Sequence, residues 1–139
     1  MAEVASFFAE CLPENKRAIY NDKYVSAALS DSEQMVAITC DKIIRGVCIC
    51  INTPIPDSCE ISHLYIHEQF RGMGFGRKLL SHCLREMRKN RCKSAFIWLE
   101  EGNERAASFF KKIGFEFDGR RRLIVGSDDY YEMRYHIDI

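Results

Sequence analysis

The apolar residues between Cys59 and Leu99 change their spacing twice, which limits the chain to folds built on a strand–helix–strand unit. Cys59–Ile66 has the make-up of a strand. Across Arg77–Asn90, Leu79, Leu80, Cys83, Leu84 and Met87 fall on one helical stripe, with Lys78, Arg85, Glu86, Arg88 and Lys89 outside it. Ser94–Leu99 is a nearly continuous apolar run, the pattern of a central strand buried on both faces. A second helix is expected over Glu104–Ile113. Asn103 suits its N-cap, Lys111 and Lys112 suit the negative end of its dipole, and Gly114 suits its termination.

The flanks fill out this frame. Met35–Cys40 and Ile43–Ile51 read as two strands joined by a short turn at Asp41 and Lys42. Asn52–Ser58, with Pro54 and Pro56, reads as a loop. Phe115–Val125 and Tyr130–Ile137 form a last strand pair. In the second of these, Tyr131, Met133, Tyr135 and Ile137 alternate with Tyr130, Glu132, Arg134 and His136. Val4–Cys11 and Glu14–Leu29 read as helices. Hairpins mixed with two strand–helix crossovers imply a mixed α/β sheet with helices on both faces. Length and apolar content fit one domain over residues 1–139.

The most informative chemistry lies between the strand and the first of these crossover helices. Gln69, Arg71, Gly72, Gly74, Gly76 and Arg77 occupy a loop that opens the helix. A helix start offers free N–H groups and the positive end of a dipole, and glycines let a ligand approach the backbone. Successive N–H groups suit a diphosphate. A dinucleotide fingerprint or a P-loop counted from Gly72 would need glycine at position 77, which is Arg77. The competing reading is a glycine-rich turn with no ligand.

Composition excludes some functions. Basic and acidic residues number 20 each, so no bulk positive charge points to nucleic acid. No segment reaches the roughly 18 apolar residues of a membrane span. Met1–Glu10 lacks the basic start of a secretory signal, which makes a cytoplasmic location the expectation. Seven cysteines, an odd count, are expected to be buried free thiols rather than a disulfide framework. Cys48 and Cys50 lack the spacing of a zinc knuckle, and no metal is expected.

The loop resembles the Gln/Arg-x-x-Gly-x-Gly/Ala motif of the GNAT family of N-acetyltransferases, matched at Gln69, Gly72 and Gly74. His63–Ile66 resembles the end of the strand that precedes that motif. Downstream, Asn103, Ala106, Phe110, Lys111, Gly114 and Phe115 resemble the family's second conserved series. Together the matches and their flanks cover roughly residues 34–137. No subfamily is assigned. The resemblance implies a mostly antiparallel sheet whose fourth and fifth strands splay apart, with acetyl-CoA in the gap. The pantetheine would run along the backbones of Leu64, Tyr65 and Ile66. The pyrophosphate would rest on the amides of Gly72, Met73, Gly74, Phe75, Gly76 and Arg77, with Arg71 or Arg77 adding charge. Asn103 would reach the pantetheine.

The resemblance also implies transfer of the acetyl group to an amine by direct attack on the thioester. Glu60 stands where some members place a general base; the alternative is a polar strand residue with a structural hydrogen bond. By simple alternation residues 60, 62, 64 and 66 share a face, and His63 points to the other. The tyrosine that often protonates the departing thiolate is replaced by Phe110. Tyr131, or its neighbours Tyr130 and Tyr135, is a substitute for that role. Phe110 keeps open a non-catalytic acyl-CoA sensor, and another acyl group or acceptor is also open. Acceptor contacts are expected around Tyr20–Leu29 and Gly126–Tyr130. The family's opening strand has no counterpart in Met1–Glu10. An exposed last strand would offer an edge for a homodimer.

Overall fold

The computed structural model describes residues 34–124 and 126–139. The two helices expected at Val4–Cys11 and Glu14–Leu29, the first acceptor segment and Cys11 lie outside the described residues.

The described chain runs β1 (Gln34–Cys40), β2 (Ile43–Asn52), β3 (Ser58–Ile66), a short 3-10 turn (Glu68–Phe70), α1 (Phe75–Lys89), β4 (Ser94–Glu100), α2 (Glu104–Ile113), β5 (Glu116–Leu123) and β6 (Tyr131–Asp138). The sheet order is β1-β2-β3-β4-β6-β5. All pairs are antiparallel except β3–β4, which are parallel and joined through α1. The mixed, mostly antiparallel α/β sheet expected from the sequence is therefore present. The last strand, however, is not an edge: β6 lies between β4 and β5, and among the described residues the outer strands are β1 and β5.

Local chemistry accounts for the elements. Asp41 and Lys42 both have positive φ, 54° and 64°, the mirror-image turn whose twist matches a two-residue hairpin. Asn103 Oδ1 accepts the Ala106 N–H at 3.2 Å and caps α2. Gly114, at φ 124°, closes that helix by donating to Lys111 O and Phe110 O. Both described helices feed one core cluster. Leu79, Leu80, Cys83 and Met87 of α1 and Phe110 of α2 meet Cys48, Cys50, Ile61, Ala95, Ile97 and Leu99 of the sheet. Each large apolar side chain buried here contributes roughly 1.5–3 kcal/mol. Val47 and Ile49, on the alternate positions of β2, are also fully buried, so both faces of that strand are covered.

Two features depart from the sequence reading. The β2–β3 register shifts between Ile49 and Cys50: Ile49 faces His63, but Cys50 faces Ile61. Ser62 is the extra residue of this bulge, and its Oγ donates to Ile49 O at 3.1 Å. Simple alternation fails at that point. Ile61 and Leu64 both face the helices, while Glu60, His63 and Tyr65 face the other way. His63 therefore shares the face of Glu60, contrary to expectation. In addition, Cys59 and Cys92 form a disulfide across 33 residues, where free thiols were expected. Sequence distance hides the proximity: Cys59 pairs with Ala95 in the parallel ladder, and Cys92 lies just before β4.

The β3–β4 ladder is short. It holds Ser58–Ser94, Cys59–Ala95 and Glu60–Phe96, and then stops. β3 continues to Ile66 and β4 to Glu100, diverging from a common vertex. This is the splay expected between the family's fourth and fifth strands, here β3 and β4.

Candidate functional site

The divergence of β3 and β4 opens a cavity of about 1100 Å³. Its walls are Glu60–Ile66 of β3, Ile97–Glu100 of β4, Phe70, Arg71, Gly72, Gly74 and Gly76 of the loop and helix start, and the N-cap Asn103 with Ala106, Phe109 and Phe110 of α2. Arg122 of β5 and Glu132 of β6 also line it.

The loop is built around Phe70. Its ring stacks on Phe75 at 5.7 Å, and the Arg45 guanidinium sits 4.4 Å over it. His67 Nδ1 accepts from Gln69 N–H at 3.3 Å, capping the 3-10 turn. Gly72 and Gly74 then adopt φ of 79° and 82°, a conformation that side-chain residues resist. A Cβ at either position would meet nothing within 4 Å, so both glycines face open space. Gly74 is the N-cap of α1 and lacks a side-chain cap. The first bond of the helix is Lys78 N–H to Gly74 O at 3.1 Å, which leaves the amides of Phe75, Gly76 and Arg77 without intrahelical acceptors. Gly76 serves differently: a Cβ there would stand 3.3 Å from the Phe109 ring, so it permits α1 to pack on α2.

Of the residues singled out in the sequence, Glu60, Leu64, Tyr65, Ile66, Arg71, Gly72, Gly74, Gly76, Arg77, Asn103 and Phe110 line this one cavity. Arg71 Nε donates to Ile66 O at 3.2 Å, tying the loop to the end of β3. Asn103 spends its Oδ1 on the cap, so its amide NH₂ is what it offers to a ligand. Gln69, Met73 and Phe75 are not among the lining residues. Phe75 supports Phe70 from behind, and Met73 is 63 % exposed. Tyr131 is not brought to the cavity either. It precedes Glu132, which lines the cavity, so it points to the opposite face, where Arg121 lies 4.2 Å over its ring.

Phe110, 3 % exposed, packs edge-on against Phe109 and Phe115 at 5.1 and 5.2 Å. It presents only an aromatic wall to the cavity. Sequence reasoning missed Trp98, Arg122 and Glu132. Arg122 donates to Glu132 at 2.9 Å and lies 4.1 Å over the Trp98 ring. Strand alternation was the available signal: Trp98 and Glu132 each sit opposite a core-facing neighbour.

Burial raises the pKa of Glu60; the Arg122 charge opposes this and Glu132 adds to it. Its carboxyl therefore holds a proton more readily than an ordinary glutamate. His63 is 7 % exposed, and burial pushes its imidazole down to about 4. The unfolded chain then binds a proton that the folded chain refuses. Stability from this group is complete above 6.5 and is lost as pH falls toward 4. The expected loss is on the order of 3 kcal/mol. Urea unfolding between neutral pH and pH 4 should show it, and His63→Gln should flatten the slope. An unchanged slope in that variant would exclude His63 as its source.

The sequence profile of the Acetyltransferase (GNAT) family matches residues 1–115. A probable N-acetyltransferase of Mycobacterium tuberculosis is 32 % identical over 65 residues, 47 % of this chain and 36 % of that one. This chain thus spans little more than a third of that relative. The ribosomal-protein-S18-alanine N-acetyltransferase of Escherichia coli has the same fold at a TM-score of 0.77, with 14 % identity over 99 % of this chain and 87 % of that one. PaiA N-acetyltransferase of Thermoplasma acidophilum, crystallised with coenzyme A, has a TM-score of 0.71, with 15 % identity over 96 % and 90 %.

Proposed function

Because the chain belongs to the acetyltransferase (GNAT) family, we propose that it binds acetyl-CoA in this cleft and catalyses acetyl transfer to a primary amine. One observation carries the reading: a helix start with free amides and two left-handed glycines borders a gap between diverging parallel strands. The open space at Gly72 and Gly74 fits a diphosphate against the backbone. A Thermoplasma protein of the same fold was crystallised with coenzyme A, which supports a cofactor of this class.

Acetyl-CoA supplies the activated acyl group, a thioester open to attack by a neutral amine. The chain does the rest. Gly72–Arg77 amides and the Arg77 charge hold the diphosphate. Leu64–Ile66 and the Asn103 amide fix the pantetheine, so that orientation supplies much of the acceleration. Glu60, with its raised affinity for a proton, accepts the one the amine must lose, directly or through water. Tyr131 is too poorly placed to serve as the general acid, and the departing thiolate takes its proton from solvent.

The second reading, a non-catalytic acyl-CoA sensor, is favoured by the hydroxyl-free wall at Phe110. Titration of free thiol with acetyl-CoA and a panel of small amines, peptides and polyamines separates the two. Amine-dependent thiol release is expected. Tight coenzyme A binding with no release on any amine would select the sensor, and absence of binding would refute both.

A further inference from the structure

Behind the sheet, apart from the cleft, three cysteines converge. Cys48 and Cys50 share the helix-facing side of β2, and Cys83 stands on the apolar stripe of α1. All three sulfurs lie within 4.8 Å of one another, and Cys48 Sγ and Cys50 Sγ are 3.9 Å apart. Exposure is 0 %, 3 % and 0 %. None of the three lines the cleft. Among the described residues no histidine, carboxylate or fourth cysteine joins the group.

The geometry selects a class of ligand. Metal–sulfur bonds of about 2.3 Å put neighbouring ligand sulfurs roughly 4 Å apart, close to the spacing already present. Coordination number and charge then discriminate. Zinc asks for a fourth ligand and keeps a net negative charge on three thiolates. Copper(I) accepts three thiolates but leaves two negative charges in a dry core, at high cost. Trivalent arsenic is three-coordinate, and its trithiolate is neutral. Neutrality is what a site between α1 and β2 demands.

We propose that Cys48, Cys50 and Cys83 form a three-thiol binding site for trivalent arsenic. The reaction is exchange without redox: three S–H bonds and three As–O bonds of arsenous acid break, three As–S bonds form, and three waters leave. Because the site is closed, uptake follows local opening of α1 from the sheet. The product would staple that helix to β2.

Native mass spectrometry after incubation with sodium arsenite, in the absence of dithiols, tests the site. A parallel sample is refolded from urea with arsenite present, to bypass slow opening. One arsenic per chain, less three hydrogens, is expected, with X-ray absorption giving three sulfur neighbours. Cys83→Ala and Cys48→Ala should each lose the adduct while keeping the native circular dichroism; Cys40→Ser should keep it. An adduct that survives both alanine variants, a shell of two sulfurs, or no uptake even on refolding would overturn the proposal.

Discussion

Gly74→Glu should abolish coenzyme A binding while leaving the chain folded. Gly74 stands at φ 82° with nothing within 4 Å of a would-be Cβ, at the start of α1. A side chain in that backbone conformation costs roughly 1–2 kcal/mol. That strain lowers the melting temperature without removing the core. The carboxylate has a larger effect on the ligand. It would occupy the space proposed for the diphosphate, replacing favourable N–H contacts with repulsion between like charges. A loss of about 3 kcal/mol or more corresponds to a 100-fold or greater rise in Kd. Calorimetric titration with coenzyme A, alongside circular dichroism, measures both effects. Gly74→Ala separates them, because it carries the strain without the charge and should bind with an intermediate Kd. Near-normal binding by the glutamate variant would move the diphosphate elsewhere.

The second large effect is expected at Glu60. Its pKa is raised, chiefly by burial, so the carboxyl is protonated at low pH and gains its ability to accept a proton as pH rises. In the wild type kcat/KM should climb through that ionisation. Glu60→Gln removes the acceptor and should lower the rate at neutral pH by about 10²–10⁴-fold. At high pH the amine is already neutral and the deficit should shrink. A pH–rate profile identical to the wild type would leave Glu60 as a structural hydrogen-bonding residue. Arg122 opposes the upward shift through its charge, so the neutral replacement Arg122→Gln should move the same limb to higher pH.

The geometry of the Gly72–Gly74 loop could be read from the sequence because it is local. Gly72 and Gly74 announce left-handed backbone, and the stripe from Leu79 to Met87 announces the helix that follows. Asn103 and Gly114 likewise mark the ends of α2 by chemistry confined to one turn. What the sequence concealed was non-local. The bulge at Ser62 arises from the pairing of β3 with β2, and a single extra residue placed His63 beside Glu60 instead of opposite it. Cys59 and Cys92 meet only because two strands begin side by side. Trp98, Arg122 and Glu132 come from three strands whose order is settled only by the assembled sheet. Tyr131 failed as a cleft residue for the opposite reason: the alternation that places Glu132 in the wall turns its neighbour away.

The short ladder between β3 and β4 has a mechanical consequence. Three residue pairs, with the Cys59–Cys92 link beside them, act as the stiff corner of a clamshell whose two valves are β1–β2–β3 and β4–β6–β5. Each valve is held by antiparallel ladders longer than this corner, so bending concentrates at the mouth. On the proposed function, a change of gape would let the cleft take acyl groups of different bulk while the ladders of both valves stay paired.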